Sequence, residues 1–160
     1  MRKTYRDSTS GFALVELIVV LGVVSVLVSL VMVNLLRPQQ QSSLTASVDT
    51  FVSDLKQAQT KAMAGVGGSH HGAYVGQDSY VLFSGTNYNA NDSANAQVAL
   101  GSNISVASVT LPGRQIVFAP GSGEIVNFNP ATNSITIGNT QSGEQQTMEF
   151  NRYGTITNIY

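Results

Sequence analysis

The stretch that decides the fold is Phe12–Leu36, FALVELIVVLGVVSVLVSLVMVNLL, in which Glu16 is the only charged residue. As a helix, this run would be about 37 Å long at 1.5 Å per residue, more than the hydrocarbon core of a bilayer at about 30 Å. A buried core helix of this kind would need a large domain around it, and the rest of the 160 residues is too short and too polar to supply one. The sequence therefore predicts a single membrane-spanning helix.

The charges on either side of this run predict its orientation. Arg2, Lys3 and Arg6 stand against Asp7 before the run, and only Arg37 follows it closely. Because basic residues favour the cytoplasmic side of a membrane, the N-terminus is expected in the cytoplasm. The predicted location is that of a single-pass inner-membrane protein with a periplasmic or extracytoplasmic head.

The overall composition excludes several classes of function. Lys and Arg total 8 against 9 Asp and Glu, for a net charge of -1, so the chain lacks the basic surface that binds nucleic acid. Charged residues make up only 11% of the chain, compared with about 25% in average soluble domains. The absence of cysteine rules out a disulfide framework, a thiolate metal site and a cysteine nucleophile.

A specific motif marks the start of the apolar run. Gly11-Phe12-Ala13-Leu14-Val15-Glu16 follows a short basic leader, and no small-residue secretory cleavage site follows the run. The motif resembles the prepilin signature of type IV pilins and type II secretion pseudopilins. The resemblance implies that prepilin peptidase cleaves between Gly11 and Phe12 and that Phe12 becomes N-methylated.

Glu16 has two interpretations. A carboxylate within an apolar membrane helix costs about 2.5 to 3.5 kcal/mol on insertion scales and usually has a partner. Alternatively, it reaches water at the interface and interacts favourably with the positive end of the helix. The resemblance implies the first interpretation, with Glu16 neutralising the N-terminal amine of a neighbouring subunit during filament assembly.

A second helical pattern follows the apolar run. Apolar residues recur at steps of three and four, which predicts an amphipathic helix: Leu44, Val48, Phe51 or Val52, Leu55, Ala58 and Ala62. Glycines in 64–68 should end this helix. The predicted organisation is a leader over 1–11, an assembly helix over 12–36, its amphipathic continuation over 37–64, a linker over 65–72 and a head over 73–160.

The head has the pattern of short strands separated by turns. Eight candidates are Ala73–Gly76, Ser79–Phe83, Val98–Leu111 with an interruption, Gln115–Phe118, Glu124–Phe128, Ser134–Gly138, Thr147–Asn151 and Thr155–Ile159. The predicted class is α+β and pilin-like, with a long N-terminal helix, half membrane-embedded and half amphipathic, packed on a small antiparallel sheet or sandwich.

The C-terminal half resembles the GspH/FimT-like minor pilins and pseudopilins. The resemblance lies in the helix end over 51–63, the strand and turn over 116–121, and the closing segment over 152–156. The family often has Ala-Arg in the helix end, where this chain has Ala58-Gln59.

No catalytic, metal or cofactor site is predicted. His70 and His71 are adjacent in a Gly/Ser loop, which suits an exposed linker better than chelation, and the calcium-like pattern over 87–92 fails at Asp92. After Lys61 the only cations are Arg114 and Arg152, so nucleic acid is not an expected partner.

The predicted function is that of a structural subunit, a minor pilin or pseudopilin, rather than an enzyme. Its expected partners are prepilin peptidase, other pilin or pseudopilin subunits, the inner-membrane assembly platform and membrane lipid. The alternative is an uncleaved single-pass membrane protein that displays its β-domain for binding or catalysis.

Overall fold

A computed structural model describes the secondary structure of residues 10–160 and the side chains of residues 14–29 and 43–160. The chain divides into two compact units, Met1–Gln39 and Gln40–Tyr160. The predicted leader over 1–11 and the side chains of Gly11 and Phe12 lie outside the described residues. The proposed cleavage and methylation positions therefore stay predictions.

Helix α1 extends over Ser10–Met63, and its described side chains fall into two stretches, 14–29 and 43–63. Within the part of the chain whose side chains are described, no helix combines the length and apolar character needed to cross a membrane. This finding contradicts the predicted single-pass location in the inner membrane, with a cytoplasmic N-terminus and a periplasmic head.

The predicted α+β pilin-like class, with its long apolar N-terminal helix, is also wrong. The structure has the architecture of a small β-rich domain with two antiparallel four-stranded sheets. The physical reason is that the hydrophobic core does not include the described part of the apolar run. The described part of the apolar run is exposed, whereas the core is formed by strands and by one face of residues 43–63.

In the second unit, the predicted amphipathic face of α1 is confirmed. Its buried side chains are Leu44, Val48, Phe51, Leu55, Ala58 and Ala62. The helix ends where Gly65 adopts a left-handed conformation, with φ of 65°. In that conformation its N–H donates to the Ala62 carbonyl at 3.0 Å, as expected for a glycine that terminates a helix.

Eight strands follow α1: β1 His71–Val75, β2 Ser79–Ser84, β3 Ala96–Ala99, β4 Ile104–Val109, β5 Gln115–Phe118, β6 Ser134–Asn139, β7 Gln145–Phe150 and β8 Ile156–Ile159. The first sheet has the order β3-β2-β1-β5 and the second has the order β4-β6-β7-β8. Every pairing is antiparallel.

One predicted strand is absent from the described fold. Residues 124–128 form only an isolated bridge between Phe118 and Ile125. Gly123 and Asn127 have positive φ values of 68° and 55°, so the backbone turns on both sides of Ile125. The predicted linker over 65–72 also ends earlier than expected, because His71 begins β1.

A single buried cluster joins the helical face to both sheets. The first sheet contributes Ala73, Val75, Ile116 and Phe118, and the second contributes Ile135, Ile137, Met148 and Phe150. The ring of Phe51 meets that of Tyr80 edge to face at a centroid distance of 4.9 Å. This cluster fixes residues 43–63 against the sheets and so positions the side chains described next.

Candidate functional site

The stretch 14–29 contains most of the exposed large hydrophobic residues among the described part of the chain. Leu14 is 62% exposed, Ile18 60% and Leu27 56%. Large contiguous apolar patches are unusual on a free protein surface and mark places that a partner or another apolar environment covers. This stretch is therefore the first candidate for a functional surface.

Glu16 lies within this stretch and is its only charged residue. The carboxylate is exposed as the structure stands. Were the neighbouring apolar side chains covered, the carboxylate would lose water and would need a positive or hydrogen-bonding partner. Glu16, the predicted assembly residue, therefore lies on the exposed apolar stretch.

Three small residues form a narrow row along the same stretch. A Cβ on Gly22 would have no neighbour within 4 Å. The Ser25 hydroxyl donates to the Leu21 carbonyl at 2.7 Å, and the Ser29 hydroxyl donates to the Ser25 carbonyl at 3.0 Å. Because both hydroxyls bond within their own helix, this row leaves space for another helix without demanding a polar partner.

The C-terminal end of α1 is held by a group of hydrogen bonds that the sequence did not predict. The Gln59 amide donates to the Gly123 carbonyl at 2.9 Å and to the Tyr153 carbonyl at 2.6 Å. The backbone N–H of Gly121 donates to the Ala62 carbonyl at 3.0 Å. Two distant loops therefore meet the last turns of the helix.

His71 does not lie in an exposed linker as predicted. It is 8% exposed in β1, and its Nε2–H donates to the Val66 carbonyl at 3.0 Å, since a carbonyl can only accept. Nδ1 forms a second hydrogen bond with the Ser84 hydroxyl at 3.1 Å. Both ring nitrogens have protein partners, and residues 14–29 and 43–160 contain no group of three potential metal ligands.

Tyr80 and Asp54 form a polar contact beside the core. The phenol donates to Asp54 Oδ2 at 2.5 Å. Burial, followed by the hydrogen bond and the negative charge of Asp54, raises the pKa of Tyr80 well above its ordinary value. The sequence signal was slight: Asp54 follows buried Phe51 by three positions on the helix, so the two lie near one face.

The two cations of the strand region are engaged within the chain. The Arg114 guanidinium donates to the carbonyls of Val75 and Gly76 at 2.8 Å and 2.9 Å. Arg152 pairs with Glu124 at 3.0 Å on the surface. Arg114 therefore helps to hold the end of β1, a role that its position after a turn did not reveal.

No protein-family model matches this chain, and no curated protein or solved structure is significantly similar to it.

Proposed function

We propose that this chain is a structural subunit of a helical filament, a minor pilin or pseudopilin of a type IV pilus or a type II secretion pseudopilus. Its N-terminal helix would join the subunits. The observation that carries the proposal is the exposed apolar stretch 14–29 with Glu16 as its single charge. Covering this apolar surface with copies of itself removes it from water and so lowers the free energy of the system.

The proposal includes processing by prepilin peptidase between Gly11 and Phe12, with methylation of the new N-terminus. Cleavage creates an amine four residues before Glu16, and that amine supplies the cation that a buried carboxylate needs. The proposed partners are the peptidase, other subunits of the filament and its assembly platform. We propose no catalytic activity and no cofactor.

The assembly step is tested with Glu16→Gln in cells that produce the filament. The variant should be cleaved normally and yet be lost from sheared filaments, because an amide cannot neutralise an ammonium group. Ser25→Ala is the matched control, since its hydroxyl bonds within its own helix. Incorporation of Glu16→Gln at the level of the wild type would overturn the role of Glu16.

The processing step is tested separately by mass spectrometry of the intact protein. The expected mass corresponds to a chain that starts at methylated Phe12. Gly11→Leu should abolish cleavage, because a large side chain replaces the hydrogen that allows close backbone approach. A mature protein that retains residues 1–11 would contradict the proposal and favour an uncleaved chain that displays its β-domain.

A further inference from the structure

An open groove of about 450 Å³ lies between α1 and β8 within the second unit. Val52 and Leu55 form its helical wall, and Ile156 and Ile159 line it from the strand. Ile159 pairs across the sheet with Met148, which is fully buried, yet Ile159 itself is 50% exposed. The inner face of the second sheet therefore continues beyond the part that α1 covers.

The same groove borders an unpaired sheet edge. β8 is the last strand of its sheet and pairs only with β7 among the described strands. Tyr160 exchanges both backbone hydrogen bonds with Thr147 of β7, at 2.8 Å and 3.3 Å. Since backbone groups alternate in direction along a strand, the N–H and C=O of Ile159 point to the open side.

The groove has a single charged side chain, Lys56. Within residues 43–160, the one ion pair is that between Arg152 and Glu124. The Lys56 ammonium group is therefore not paired with a carboxylate of this part of the chain and can pair with a ligand. The basic leader of this chain is positively charged, as Lys56 is, so the two would repel each other. The side chains of a second copy of β8 offer Lys56 no opposite charge either, because residues 155–160 contain no Asp or Glu.

We propose that β8 and this groove bind an extended segment of another protein by strand addition. The segment would present two apolar side chains to the groove, with a carboxylate between them that pairs with Lys56. Its backbone would bond to the open edge of β8, and alternate side chains would enter the groove, as in known strand-addition complexes. The proposal does not depend on residues 14–29 or on filament assembly.

The test uses the isotope-labelled full chain in mild detergent, with a synthetic capped peptide of sequence TVTETVT as the probe. Its two valines and its glutamate share one face of a strand. We expect shifts in the amide resonances of Ile159 and Lys56 at about 1 mM peptide, as for weak binding. The control peptide TVTKTVT should bind at least about tenfold more weakly, because its lysine faces Lys56.

Charge reversal at the groove supplies the second arm. Lys56→Glu should exchange the preference for the two peptides, whereas Lys61→Glu, on the same helix outside the groove, should leave it unchanged. Binding of a peptide methylated on its backbone nitrogens should be lost, since it cannot pair with β8. Absence of binding, equal binding of both peptides, or occupation of the groove by a second copy of the chain would each overturn the proposal.

Discussion

Gln59 joins three parts of the chain that are far apart in sequence. Its amide donates to carbonyls 64 and 94 positions further along. Each such bond contributes about 0.5 to 1.5 kcal/mol, and an acceptor left without a partner adds a desolvation cost. One uncharged side chain on the helix therefore helps to fix the loops at 119–123 and 151–154.

Gln59→Leu should lower the free energy of unfolding by about 2 to 3 kcal/mol, because both carbonyls would lose their donor. Urea denaturation followed by circular dichroism measures the change. Gln57→Leu is the control, since Gln57 is exposed on the same helix and forms none of these bonds. Equal effects of the two substitutions would contradict the role assigned to Gln59.

Tyr80 makes the free energy of unfolding vary with pH in the alkaline range. Its pKa is raised in the folded state by burial and by Asp54, so the folded protein holds the phenolic proton more tightly than the unfolded chain does. The stability from this group is present below the unfolded pKa of about 10 and falls as the pH rises above it.

Tyr80→Phe should flatten this alkaline decline in stability, which is measured by urea denaturation at a series of pH values from about 8 to 11. Tyr153→Phe is the control because Tyr153 is 65% exposed. An unchanged slope in the Tyr80→Phe variant would show that another group causes the decline.

At single residues, sequence reasoning depends on a local signal. Glu16 stands out because a lone charge interrupts an apolar run, whereas Gln59 is one of several polar residues on its helix. Nothing in the residues around Gln59 reveals two acceptors on distant loops. Hydrogen bonds of this range become visible only when the topology is known.

At the scale of elements, two glycines make room for the end of α1. A Cβ on Gly154 would lie 2.7 Å from Phe118 Cε1 and 2.8 Å from Gln59 Nε2. A Cβ on Gly123 would lie 2.5 Å from Met63 Cγ. At both positions the absence of a side chain lets the turn lie close to the side chains at the end of the helix.

Gly154→Ala should destabilise the fold by about 2 to 4 kcal/mol, from the positive φ and from overpacking together. Gly121→Ala isolates the first effect, since Gly121 has a φ of 78° and open space around its Cβ position. It should cost only about 1 to 2 kcal/mol. Thermal unfolding of both variants checks the difference, and similar losses would argue against the close contact at Gly154.

The elements predicted best are those with a regular hydrophobic period. The buried face of residues 43–63 follows the steps of three and four in the sequence, because a covered helix must repeat its apolar side chains at that spacing. The strand predicted over 124–128 failed because alternation alone cannot show that Gly123 and Asn127 adopt turn conformations. Local backbone geometry overrode the pattern there.

At the scale of the whole molecule, the prediction of fold class failed on the apolar run. Hydropathy counts apolar residues without regard to what covers them. The apolar run over 12–36 therefore determined the predicted fold class. In the described structure, the buried hydrophobic residues all belong to the second unit, from Leu44 to Phe150. The β-rich domain, rather than the run, carries the core.

A fragment of residues 40–160 should therefore fold without residues 1–39. We expect a cooperative urea transition and a free energy of unfolding within about 1 kcal/mol of the full chain, because the core would be unchanged. Circular dichroism and urea titration of both proteins measure this. Loss of a cooperative transition in the fragment would show that residues 1–39 contribute to the core.

The bonds at the end of α1 have a consequence for the nascent chain. The Tyr153 carbonyl that accepts from Gln59 is 94 positions away, so the ribosome must add those 94 residues after Gln59 before this contact can form. Contacts of such long range slow folding, because a long loop must close before they stabilise anything. The helix end would therefore lack these hydrogen bonds until the residues through Tyr153 have been made and the loop at 151–154 has reached it.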